Sequence, residues 1–104
     1  MGTAFIFHGI GGSPSENWFP SLRKDLELKG QRVEIPSFPN TNTPTLSLWR
    51  EYYQCTYGKE EKSAFIGHSL GATFALRLLE ETDTPIEKLI LVAGVYKAMG
   101  NAFD

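Results

Sequence analysis

The sequence predicts an α/β domain of three layers, with a mainly parallel four-stranded sheet covered by helices on both faces. Three observations predict it. Four short apolar runs, near residues 3–8, 31–36, 63–68 and 88–93, alternate with three longer stretches of helical period. That is the β-α-β-α-β-α-β order of parallel strands joined by right-handed crossovers. Between the third run and the third helix stands Gly67-His68-Ser69-Leu70-Gly71, and directly after the first run stands His8-Gly9-Ile10-Gly11-Gly12. A doubly wound sheet sets the carboxyl ends of its first and third strands side by side, so both glycine-bearing loops belong at one crevice.

The elements follow in order. Thr3 to His8 is apolar throughout, as a strand buried on both faces should be. The glycine loop follows, and then two candidate helix starts. Ser13-Pro14-Ser15-Glu16 has the form of a capping box, while Asn17 could cap a helix from Trp18 with Pro20 harmless in its first turn. Asn17 is the preferred start. Trp18, Phe19, Leu22 and Leu26 then share one face, Arg23, Lys24, Glu27 and Lys29 face outward, and Gly30 ends the helix. Gln31 to Pro36 reads as a short strand with Val33 and Ile35 alternating against polar neighbours. Ser37 to Thr45, with Pro39 and Pro44 among Asn and Thr, reads as an extended surface connection.

A second helix is expected from about Leu46 to Tyr57, burying Leu48, Trp49, Tyr52 and Tyr53 and stopping at Gly58. Those aromatics could be read as a recognition surface, but their helical spacing fits core packing better. Lys59 to Lys62 is a charged turn and Ser63 to His68 the third strand. The helix after Ser69 carries a polar stripe at Thr73, Arg77, Glu80 and Glu81 and is otherwise Leu, Ala and Phe, so it should be largely buried. Thr82 to Pro85 is a turn, Leu89 to Ala93 lies in the fourth strand, and Val95 to Asp104 shows no clear period.

Composition bounds the function. The 104 residues make a single domain, 1–104, and the formal net charge of −2 points to no particular partner. Lys and Arg are scattered, which argues against nucleic acid, and no apolar run approaches a membrane span. The N-terminus runs straight into a strand without the basic region of a leader, and Ile6 stands where a myristoylation signal requires Ser or Thr. A lone Cys55 pairs with nothing inside the chain, so a cytoplasmic location is the default. Two separated histidines and that cysteine make no metal-ligand set, and no cofactor motif is present.

The chemistry concentrates at Ser69. A serine on a sharp strand-to-helix turn adopts a strained backbone, with φ > 0 expected, and crowds the residues two before and two after it. Gly67 and Gly71 remove the side chains that would clash. The following helix aims its first amides at negative charge beside the hydroxyl, so Leu70 would donate to an oxyanion. Ile10, from the other loop, would supply the second donor, with Gly9 and Gly11 shaping that loop. The same loop could be read as a phosphate-binding turn, but it lacks dinucleotide spacing and a Walker lysine. A general base is hard to find. His68 adjoins Ser69 on a strand and so points to the opposite side. His8 ends its strand, where a histidine more often orients the loop than acts as base. Asp83 is remote from the crevice and Asp104 is terminal.

Taken together, these residues resemble the small α/β-hydrolase-fold serine hydrolase family that includes retinoblastoma-binding protein 9 and its bacterial relatives. The matching features are the His-Gly loop, Asn17-Trp18-Phe19-Pro20, the proline-bearing segment from Ile35-Pro36-Ser37-Phe38-Pro39 to Pro44 and Trp49, Gly67-His68-Ser69-Leu70-Gly71, and Leu89-Ile90-Leu91-Val92-Ala93-Gly94. The resemblance implies an α/β-hydrolase-like fold and hydrolysis of a small-molecule ester or amide by a Ser-Asp-His triad with Ser69 as nucleophile. In that family the Asp and His follow a further strand and helix, past residue 104, so the chain is expected to be incomplete and weak or inactive alone. An apolar strand at 88–93 would also be an uncovered sheet edge, open to self-association or to a second chain. Two other readings remain: a non-catalytic interaction module that keeps the turn as a relic, and a flavodoxin-like domain binding a small anion.

Overall fold

The computed structural model describes residues 2–15, 18–59, 61–81 and 86–92. Among them four parallel strands, β1 (Thr3–Phe7), β2 (Arg32–Glu34), β3 (Lys62–His68) and β4 (Lys88–Val92), form one sheet in the order β2-β1-β3-β4. The helices α1 (Phe19–Leu28), α2 (Leu46–Tyr57) and α3 (Leu70–Glu81) connect them. β1 lies between two neighbours and is buried at every residue, which is why its sequence is an unbroken apolar run.

Period-2 alternation along β1 and β3 divides the core into two layers. Ala4 and Ile6, with Ile66 and Val33, pack under α1 through Phe19, Leu22 and Leu26. Phe5, Phe7 and Phe65 face the other way and pack under α2 and α3 through Trp49, Tyr53, Leu70, Phe74 and Leu78. The second layer is largely aromatic, with Phe7 meeting Phe74 edge to face at 5.1 Å and Phe38 stacked on Trp49 at 4.2 Å. Each phenylalanine buried there stabilises the fold by roughly 1.5–3 kcal/mol.

The helix ends follow local chemistry. Thr45 Oγ1 accepts the Leu48 N–H at 3.2 Å and starts α2. Gly30, at φ +85°, closes α1 by donating to the Glu27 carbonyl at 3.0 Å, while Gln31 N–H reaches the Leu26 carbonyl. α1 begins at Phe19 with Pro20 in its first turn, and Trp18 at its cap makes no side-chain capping bond. Asn17, the expected cap, lies outside the described residues, as do the expected turn at Thr82 to Pro85, Ala93, and the stretch from Val95 to Asp104.

Four expectations are corrected. β2 is three residues rather than six, because Pro36 has no N–H to add to the ladder; Ile35 and Pro36 are buried without belonging to the strand. The buried side of α2 runs through Leu46, Trp49, Tyr53 and Tyr57, with Tyr52 beside it, and leaves Leu48 half-buried outside that cluster. Thr73 is buried rather than part of a solvent stripe, since the first turns of α3 are enclosed on all sides. The segment from Ser37 to Thr45 is no simple surface connection: Phe38 and Pro44 are buried, and Trp49 Nε1–H donates to the Pro39 carbonyl at 2.9 Å.

Candidate active site

Ser69 occupies the one-residue turn between β3 and α3 with φ +58°, in the left-handed region that costs a non-glycine residue energy unless its surroundings hold it there. Three constraints hold it. Its N–H donates to the Val92 carbonyl at 3.0 Å, its carbonyl accepts the Ala72 N–H at 3.0 Å, and the chain turns back so tightly that neither flanking glycine has room for a side chain. A Cβ on Gly67 would stand 2.5 Å from Ala72 Cα. A Cβ on Gly71 would collide with the Phe7 carbonyl oxygen and come within 2.7 Å of the His8 carbonyl oxygen. Ser69 itself is half-buried, unlike the fully buried Leu70 that follows it.

The loop after β1 meets this turn. A Cβ on Gly9 would lie 3.0 Å from Ser69 Cβ and 3.4 Å from Ser69 Oγ, so Gly9 lets the two loops touch. Gly12 N–H donates to the Gly9 carbonyl at 3.1 Å and closes a tight turn, with Gly11 at φ +67° inside it. Gly11 N–H donates to the Thr41 carbonyl at 2.8 Å, fastening the loop to the 36–45 segment. The amides of Ile10 and Leu70 make no backbone hydrogen bond among the described residues, while the Ile10 side chain is exposed and that of Leu70 is in the core.

The two histidines play different parts, and neither ring is offered to Ser69. His8 is fully buried; its Nε2 accepts the Phe38 N–H at 3.1 Å, which leaves the proton on Nδ1, donated to the Gly9 carbonyl at 3.0 Å. Both ring nitrogens are thus spent on orienting the Gly9 loop, and this tautomer is fixed by the two partners. His68 points to the α1 face, edge-on to Trp18 at 5.7 Å and Phe19 at 5.9 Å. Its Nδ1 is buried without a hydrogen-bond partner among the described residues. Asp83 and Asp104 lie outside the described residues. No group of three or more metal-ligating side chains occurs among the described residues.

What the sequence did not reveal is the strap from Ile35 to Thr45. It delivers the Phe38 amide to His8 and the Thr41 carbonyl to Gly11, so the site loop is positioned from a segment remote in sequence. The available signal was a single phenylalanine, Phe38, in an otherwise polar and proline-rich stretch.

A parallel sheet with helices on both faces and a left-handed serine at the β3–α3 turn is the architecture of an α/β-hydrolase-like fold. The chain belongs to the serine hydrolase family: a sequence model of that family, described as "Serine hydrolase", matches residues 4–102. A putative hydrolase, YdeN of Bacillus subtilis, is 34% identical over 100 residues, covering 91% of this chain and 52% of that protein. The serine hydrolase RBBP9 of Rattus norvegicus is 31% identical over 101 residues, covering 94% of this chain and 53% of that protein. The crystal structure of the ydeN gene product from B. subtilis superposes with a TM-score of 0.80 at 33% identity, over 94% of this chain and 54% of that one. The chain therefore spans about half the length of the curated relatives it matches. No helix among the described residues is long and apolar enough to cross a membrane.

Proposed function

We propose that this chain supplies the nucleophile and the oxyanion donors of an esterase-like serine hydrolase acting on a small-molecule ester or amide. The single observation that carries the reading is the left-handed Ser69, half-buried and in contact range of Gly9 at the junction of two loops. Ser69 Oγ attacks the substrate carbonyl; the amides of Ile10 and Leu70 take the oxyanion of the tetrahedral intermediate; the leaving group departs and an acyl-enzyme remains on Ser69 until water cleaves it. Gly67 and Gly71 permit the nucleophile elbow, His68 packs beneath it, and His8 with Gly9 and Gly11 sets the opposing loop. The reading needs neither metal nor cofactor, and it assigns the chain to the cytoplasm, where a lone thiol such as Cys55 is kept reduced.

The Ser69 proton must pass to a base, and His8 is committed to Phe38 and Gly9. Turnover by these 104 residues alone is therefore expected to be weak, since loss of a triad member costs orders of magnitude in rate. The same locked His8 favours a second reading, a non-catalytic module that retains the elbow as a relic. A fluorophosphonate probe separates the two. Labelling that disappears in Ser69→Ala supports the hydrolase; no labelling of Ser69, alone or with a complementary chain, supports the relic.

A further inference from the structure

Charge is distributed unevenly between the two ends of the sheet. At the end where the strands start, β2, β3 and β4 open on Arg32, Lys62 and Lys88. At the other end, around Ser69, the described segments 8–15, 35–45 and 67–71 hold no Lys, Arg, Asp or Glu, in a chain that is 21% charged. Ile10, in the loop that touches Ser69, is 44% exposed and so gives little to the core. The other large apolar side chains exposed among the described residues, Leu28, Leu89 and Ile90, lie at the end of α1 and on β4. On the α1 side of the turn, half-buried Trp18 stands edge-on to His68 at 5.7 Å. The side chain that comes up to Gly11 is polar but neutral: Asn42 Oδ1 would lie 3.4 Å from a Cβ placed there.

A charged group leaving water at this surface would find no counter-charge in those segments, and an unpaired charge is expensive to desolvate. An apolar group gains by the same move. Chain geometry says where that group would lie. Ile10 Cβ is two bonds from the Ile10 amide nitrogen, so an oxygen held by that amide stands within about 5 Å of it. The first carbons attached to a carbonyl held there are then in reach of the isoleucine side chain. We propose that the surface beside Ser69 selects uncharged esters or amides of an apolar acyl group, with the Ile10 side chain as the specificity-determining contact to that acyl chain. The reaction this serves rests on the hydrolase reading; the preference itself is a property of binding and is measured without turnover.

The test compares hexanamide with adipamate, amides of equal carbon count of which the second ends in a carboxylate. Both are titrated by NMR into the full 104-residue chain carrying Ser69→Ala, so that no covalent chemistry intervenes. Hexanamide should shift the amide resonances of Ile10 and Gly11 and bind at least ~10-fold more tightly than adipamate, a ratio worth about two buried methylene groups. Ile10→Asp in the same background should weaken hexanamide by ~10-fold, read at Gly11, and Ile10→Ser should weaken it in the same direction without adding a charge. Leu28→Asp, at an exposed apolar position at the far end of α1, should leave both affinities unchanged. Equal affinities, tighter binding of adipamate as an anion site would show, no shift with hexanamide, or binding indifferent to both Ile10 variants would each overturn the assignment. Fluorophosphonate labelling of the unsubstituted chain reads the hydrolase separately. Selective hexanamide binding without label keeps the apolar site and removes the hydrolase, whereas label without selectivity keeps the hydrolase and removes the apolar site.

Discussion

Alanine at position 71 sets two physical effects against each other with opposite signs. Gly71 lies in the first turn of α3, and in an open helix alanine is better than glycine by about 1 kcal/mol. Here the added Cβ would overlap the Phe7 carbonyl oxygen and stand 2.6 Å from the Phe7 carbonyl carbon and 2.7 Å from the His8 carbonyl oxygen. These atoms belong to the backbone at the end of a central strand, so no side chain can rotate out of the way. Forcing extra volume into a packed interior costs about 1–3 kcal/mol, and a backbone obstacle places this site at the upper end. After subtracting the propensity gain, Gly71→Ala should lose about 2 kcal/mol. For a domain of this size that lowers the melting temperature by roughly 8–16 °C. Calorimetric or circular-dichroism melts of the two proteins measure it directly. An unchanged or raised melting temperature would show that α3 does not press on β1 as described, and the tight meeting of the two loops would fall with it.

Four further outcomes are expected. Ser69→Ala should abolish fluorophosphonate labelling while its melt stays within about 4 °C, because the side chain is half-buried and not part of the core. His8→Phe keeps the ring volume but strands the buried Phe38 amide, at a cost of about 1–3 kcal/mol in chemical denaturation, and should also slow Ser69 labelling as the Gly9 loop loosens. Gly30→Ala meets no neighbour, so only its φ of +85° opposes it; strain of about 1–2 kcal/mol less the entropy gained leaves a loss near 1 kcal/mol, and a loss above 2 would contradict the open surroundings. Phe38→Ala removes a ring stacked on Trp49 and should cost about 3–5 kcal/mol, whereas a surface position would cost almost nothing.

The fold was legible because its strands and helices announce themselves in different periods. β1 and β3 are apolar enough to demand cover on both faces, and the glycines at 67 and 71 point to the turn between them. The convergence of the two loops followed from strand order alone, since β1 and β3 are neighbours in the sheet. What was not legible were features set by tertiary packing. Thr73 looked like a solvent residue because a helix pattern cannot show that its first turns are enclosed. The strap at Ser37–Thr45 looked like a surface loop because proline and asparagine dominate it, although Phe38 and Pro44 are buried. Likewise, that His8 uses both nitrogens depends on the Phe38 amide, thirty residues away. Sequence reasoning could place His8 beside the loop but could not supply that partner.

The hydrogen bond from the Ser69 amide to the Val92 carbonyl ties the left-handed residue of the site to β4, which is an outer strand of the sheet among the described residues. Edge strands open at lower free energy than the centre of a sheet. The exchange of one amide proton at position 69 should therefore keep time with the fraying of β4 rather than with global unfolding. Whatever steadies that strand holds the serine ready from behind, without touching its hydroxyl.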